Sequence, residues 1–180
     1  MTEALALRVA AADVAIVKGD APAGDRTWLT LPDGASCRVA ARVIHDLPHL
    51  VVESAFGIDD GLWGTLASPR DATARRAVNC PSRAFARDQD WPGRVVANAA
   101  TDAVVNLWRD GPDTPGGVRD RLLASAKGET WQAGRIEDLA ARLDDDTIRA
   151  ARIGVGFLFC SWRALPAGGA LRLTWPLPAA

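Results

Sequence analysis

Hydrophobic residues alternate with others in two stretches near the start of the chain. Leu5, Leu7 and Val9 alternate with Ala4, Ala6 and Arg8, and Val14-Ala15-Ile16-Val17 follows after a short break. Period-two spacing puts one set of side chains on one face of a strand, so both stretches are predicted strands, the second able to pair with the first. Residues 18–26 are rich in Gly, Asp and Pro and are predicted to form a loop. Thr27-Trp28-Leu29-Thr30-Leu31 and Ser36-Cys37-Arg38-Val39-Ala40 then flank Pro32-Asp33-Gly34. Proline presets φ for the first turn position and glycine accepts a positive φ, which predicts a hairpin here.

Beyond the hairpin the period changes to 3.6. Leu47, Leu50, Val51 and Ser54-Ala55 form a stripe at helical spacing that ends near Gly57. Proline fits a helix best in its first turn, so Pro48 predicts a start close to His45 or Asp46, with Asp46 as N-cap. Pro69-Arg70-Asp71-Ala72 and Pro81-Ser82-Arg83 each mark a further helix start. Residues 94–109 carry Val96, Ala100, Ala103, Val104, Leu107 and Trp108 on one side and Asn98, Asp102, Asn106 and Arg109 on the other. The glycines and prolines of residues 111–117 break that helix, and a short helix through Leu122-Leu123 follows. Ile136, Leu139, Ala140 and Leu143 mark another.

Asp144-Asp145-Asp146 suits a helix N-terminus, where carboxylates cap free N–H groups and oppose the positive dipole end. The helix it opens is apolar on most sides between Ile153 and Trp162, and is predicted to be the most buried element, with Cys160 inside it. After Gly168-Gly169, Leu171, Leu173 and Trp175 alternate with Arg172 and Thr174 in a last strand. Strands, then helices, then one strand imply an α+β fold. Its N-terminal antiparallel strands and hairpin precede a helical middle, and the C-terminal strand returns to the sheet.

Composition narrows the picture further. At 180 residues, with no repeat or long linker, the chain is read as a single domain over residues 1–180. A net charge of −1 gives no long-range pull toward nucleic acid or an acidic membrane, and neither is an expected partner. No apolar run reaches the ~18 residues of a spanning helix. Glu3, Arg8 and Asp13 interrupt what a secretory signal would need, and three widely spaced cysteines (Cys37, Cys80, Cys160) fit reduced thiols. A cytoplasmic protein is expected. Seven tryptophans and no tyrosine are read as packing residues.

Candidate chemistry concentrates in residues 43–64. Both histidines of the chain, His45 and His49, lie four apart with Asp46 between them and Glu53 four further on. On a helix, positions i and i+4 share a face, so two imidazoles can reach one metal ion. Asp46 stands where H-E-x-x-H enzymes carry the glutamate that polarises metal-bound water, and Pro48 sits inside the motif; both depart from the peptidase pattern. Glu53 lies roughly 12 Å along the axis from His45 at 1.5 Å per residue, so it could join His49 only if His45 folds back from a non-helical lead-in. Asp59, Asp60 or a cysteine are the other candidates for a third ligand.

The run His45-Asp46-Leu47-x-His49-x-x-Val52-Glu53, then Gly57, Gly61, Trp63 and Gly64, resembles a pattern of small bacterial proteins of uncharacterised function. The resemblance extends to Trp162-Arg163-Ala164-Leu165-Pro166 and the closing strand. It implies that the segment acts as a unit, and it carries no role to any residue.

Other signals are weaker. Six arginines against three acids over residues 66–94 could bind phosphate or carboxylate, but are more simply a solvated helix face. Cys80 before Pro81 stands at a helix start that can activate a thiol. No nucleophile elbow, dinucleotide fingerprint or P-loop occurs.

The leading expectation is therefore a small metal-dependent enzyme, most simply hydrolytic. His45, His49 and Glu53 would hold zinc or iron, and Asp46 or Glu53 would act as base toward a small-molecule or peptide substrate. The alternative is a non-enzymatic interaction or structural domain in which the same segment braces a strand–helix junction, with the turn at Trp63 in a partner surface. A non-haem iron protein with two histidines and a carboxylate is a third reading.

Overall fold

The structure, a computed structural model, describes residues 11–20, 24–30, 34, 36–39, 43–67, 92–110, 114–128 and 131–176. The expected strand at residues 5–9, the helix starts at Pro69 and Pro81, Cys80 and all the arginines of residues 66–94 except Arg94 lie outside them.

Four strands, β1 (Ala11–Val17), β2 (Arg26–Thr30), β3 (Ser36–Val39) and β4 (Ala170–Pro176), form one antiparallel sheet in the order β3-β2-β1-β4. The hairpin sets Thr30 opposite Ser36, and β4 returns along β1 with Val14 opposite Leu173. The α+β fold, with its C-terminal strand back in the N-terminal sheet, is as the patterning implies. Ala12, Val14, Ile16, Leu29 and Trp175 point to one buried face, while Asp13, Trp28, Arg38, Arg172 and Thr174 stand in solvent on the other.

Six helices follow among the described residues: α1 (Val43–Phe56), α2 (Leu62–Ala67), α3 (Pro92–Asp110), α4 (Pro115–Gly128), α5 (Ala133–Arg142) and α6 (Asp145–Ala164). α1 and α6 pack against the sheet through Leu47, Leu50 and Leu158. Their other faces, Val52 and Phe56 of α1 and Ile148, Ala151 and Val155 of α6, meet α3, α4 and α5 in a second apolar cluster. At about 25 cal/mol per Å² of apolar surface, this double-sided burial is the main stabilising term.

Three expectations need correction. α1 begins at Val43, so His45 lies inside it, Asp46 is not its N-cap, and Pro48 is an internal residue. An internal proline loses one helix bond and crowds the carbonyl four residues back, a cost of ~3 kcal/mol. Burial of Leu47, Pro48 and Leu50 between sheet and bundle outweighs it. α4 is longer than expected, because Gly116-Gly117 belongs to its first turn, where the Thr114 hydroxyl accepts from Gly117 N–H at 3.3 Å and Pro115 follows the cap. Third, α6 is two-faced rather than wholly buried: Ile153 is 72% exposed and Phe157 69%, and Cys160 is exposed too. Its apolar residues exceed what one helix face can cover with core, so the surplus lies outside.

The ends of α6 are held as its sequence implies. Asp144 is the N-cap, its Oδ1 accepting from Thr147 N–H at 2.7 Å. At the other end Lys18 donates from Nζ to the carbonyls of Trp162 (3.0 Å) and Leu165 (2.7 Å), placing a cation at the negative end of the helix dipole. The Thr147 backbone N–H, then its hydroxyl, hold the Asp144 carboxyl below its ordinary value of 3.8. Because the folded value lies below the unfolded one, the cap's contribution is complete above the unfolded value and is lost as pH falls through the folded one. Asp144→Asn keeps an acceptor without that titration. Wild type is therefore expected to lose stability relative to this variant below about pH 4, measured as thermal midpoints across an acid series.

Candidate functional site

α1 ends in a reversal that sets up everything beyond it. Gly57 adopts φ +63 and the Ile58 N–H donates to the Glu53 carbonyl at 2.9 Å, the bond that closes a Schellman end. The chain then runs past Asp59 and Asp60 to Gly61, where α2 starts. A helix start leaves its first N–H groups without partners inside the helix, and Gly61 has no side chain to cap them.

Glu53 supplies the cap from α1. Its Oε1 accepts from Leu62 N–H at 2.9 Å, and its Oε2 from Trp63 N–H at 2.9 Å and from Gly64 N–H at 3.4 Å. His49 Nδ1 lies 3.3 Å from Oε1, so the Nδ1–H tautomer adds a fourth donor. His49 and Glu53 are both buried. Removing a carboxylate from water is costly unless its oxygens are satisfied, and here four donors and the positive end of α2 do so. The fit is close enough to specify Gly61, where a Cβ would come within 2.5 Å of the Glu53 carboxyl carbon. Trp63, fully buried, completes the junction by donating from its indole N–H to the Asp46 carbonyl at 2.8 Å.

The residues singled out from the sequence are thus partly brought together. His49 and Glu53 meet on α1. Asp46 sits half-buried in the same helix, and its carbonyl receives Trp63. His45 shares the helix, with its side chain outside the described residues. Asp59 and Asp60 line a different feature, an open cleft of ≈ 230 Å³ walled also by Val96, Arg135, Asp138 and Arg142. There a single nitrogen of Arg135, Nη2, donates to both carboxylate oxygens of Asp60, at 3.0 and 2.7 Å. Among the described residues, no group of three or more His, Cys, Asp or Glu is placed to hold a metal ion.

What residue patterns did not reveal is the set of backbone donors at 62–64. The available signal was Gly61 at a helix start with no capping side chain, a vacancy that Glu53 fills from eight residues upstream. Compared with known proteins, the chain matches no family model, no curated protein and no solved structure. No helix among the described residues is long and apolar enough to cross a membrane.

Proposed function

We propose that this protein is a non-enzymatic interaction domain, in which His49, Glu53 and the 61–64 turn are an internal brace. The observation that carries the reading is the occupancy of Glu53, whose two oxygens already receive three backbone N–H groups and the His49 ring. To bind zinc or iron, or to take a proton from water, this carboxylate would have to abandon α2 and leave those donors buried. A brace of this kind fixes the junction of sheet and bundle and frees the outer surfaces for contact. The exposed apolar residues of α6 supply a surface of the right kind.

Elemental analysis of tag-free protein, with thermal unfolding of wild type and His49→Ala, tests the proposal against the metal-dependent hydrolase. The brace predicts substoichiometric metal that His49→Ala does not change, and a lower unfolding midpoint in the variant. One zinc or iron per chain, lost in His49→Ala, would overturn it and restore the metal reading.

A further inference from the structure

The outer face of the sheet carries residues that folding does not require, and strand register fixes which they are. Trp28 lies opposite Arg38 of β3 and opposite Ala15 of β1, and Ala15 lies opposite Arg172 of β4. Arg38, Trp28, Ala15 and Arg172 therefore form one row across all four strands. Residues two apart on a strand share a face, so Arg26 stands next to Trp28 on the same side. The buried residues of β2 are Thr27 and Leu29, whereas Trp28 is 41% exposed and all three arginines are exposed. Ala15 offers only a methyl group, which leaves a trough between Trp28 and Arg172 two strand spacings, roughly 10 Å, across.

The arginines are not engaged within the fold. No hydrogen bond or ion pair joins the side chain of Arg26, Arg38 or Arg172 to any described residue. Among the described residues the one carboxylate of this face is Asp13, a row away and opposite Thr30 and Thr174. A chain of net charge −1 thus gathers three guanidinium groups against one carboxylate here. Positions 26, 38 and 172 meet only through strand pairing, so the sequence does not display the excess. Net charge governs long-range steering, not what a local face can hold.

This combination selects a chemistry. Guanidinium forks hold phosphates, and an exposed indole between them offers a stacking surface to a planar base. An acidic peptide would satisfy the arginines and leave Trp28 without a partner. An anionic membrane would need apolar surface to insert, yet the next row, Ser36, Thr30, Asp13 and Thr174, is polar throughout. A duplex keeps its bases stacked within itself, whereas a single strand can splay them outward.

We infer that the outer face of the sheet binds single-stranded nucleic acid, with a base stacked on Trp28 above Ala15 and phosphates held by Arg38, Arg172 and Arg26. The inference rests on the interaction-domain reading and names its partner. Three phosphate contacts and one stacked base make a short, sequence-tolerant site of about four nucleotides, with Kd on the order of 10 µM. At about −0.7 per phosphate contact on a single strand, the log–log dependence of affinity on salt has a slope of about −2.

Fluorescence anisotropy of labelled oligouridine and oligothymidine, each of ~12 nucleotides, titrated with the full chain tests it. Wild type should bind, and raising salt from about 50 to about 200 mM should weaken binding about fifteenfold. Trp28→Thr, which keeps a residue suited to a strand, should weaken binding about tenfold and leave the salt slope unchanged. Trp28→Phe should retain most of the affinity. Arg38→Ala and Arg172→Ala should each take about 0.7 off the slope. Unfolding midpoints should stay close to wild type, because all three side chains are exposed. Binding of either oligomer supports the inference, and the tighter one tells RNA from DNA as its source. No binding of either at about 100 µM protein, or binding that Trp28→Thr leaves unchanged, overturns it. So does equal affinity for a duplex or for polyglutamate, or capture by phosphatidylserine vesicles alone. These outcomes are separate from metal content. Failure to bind without stoichiometric metal removes this partner and leaves the interaction-domain reading standing, while metal lost in His49→Ala removes that reading itself.

Discussion

Glu53→Ala is expected to destabilise the fold by about 3–5 kcal/mol, the range for breaking a buried charged hydrogen-bond network. Three backbone N–H groups at the start of α2 would lose their acceptor inside the protein, and each buried donor left without a partner costs about 1–3 kcal/mol. The His49 ring, 3.3 Å from Oε1, would lose its partner as well. Water entering the space left by the carboxylate offsets some of this, which is why the sum of the separate costs is not the expectation. Glu53→Gln should fall between wild type and alanine: one oxygen still accepts, but the amide NH₂ faces N–H donors. Urea unfolding at neutral pH reads all three. A solvent-exposed His–Glu pair at i, i+4 would contribute only about 0.3–0.5 kcal/mol, so a loss below 1 kcal/mol would refute the brace. Adding a chelator to wild type separates it from metal ligation: it should leave the unfolding curve unmoved, whereas a metal-held Glu53 would bring wild type toward the variant.

The same geometry explains why the fold could be read from the chain more fully than the site. The hairpin around Pro32-Asp33-Gly34, the Asp144 cap and the alternation of Leu171, Leu173 and Trp175 are local signals, each decided by residues within a few positions of one another. They place β2, β3, α6 and β4 correctly. His49 and Glu53 are also local neighbours, and their meeting follows from helical spacing alone. Their role does not. It is set by the N–H groups of Leu62, Trp63 and Gly64, and backbone donors leave no mark in a residue pattern. Nor does a residue pattern separate carboxylates that could ligate from one already engaged. Pro48 shows a second limit: its preference for a first turn is a local energy of a few kcal/mol, and burial of its neighbours on both sides of α1 exceeds it. α6 shows a third. Between Ile153 and Trp162 its composition reads as buried, yet a helix offers each neighbour only a stripe, and Ile153 and Phe157 fall outside both stripes used by Leu158 and Val155.

Trp63→Ala is the other substitution expected to be severe, at about 3–5 kcal/mol, the usual range for deleting a fully buried large aromatic side chain. Trp63 joins two layers at once: it belongs to the cluster beneath the sheet with Leu47, Leu50 and Leu158, and its own N–H is one of the donors to Glu53. Its indole also donates to Asp46, so the alanine variant leaves a cavity and removes that donor together. Trp63→Phe divides the two contributions. It keeps the backbone donor and most of the ring volume, loses the 2.8 Å bond to the Asp46 carbonyl, and should cost about 1–2 kcal/mol. The pairing with Glu53 gives a sharper test, because residues in one network are not additive. Once Glu53→Ala has released the start of α2, the indole no longer needs to sit in one orientation, and Trp63→Phe should cost measurably less than it does in wild type. Urea unfolding of the four proteins in that cycle should give a coupling of at least about 0.5 kcal/mol. A coupling indistinguishable from zero would mean that the carboxylate and the indole hold the junction independently, and that the 53–63 segment is two unrelated contacts rather than one brace.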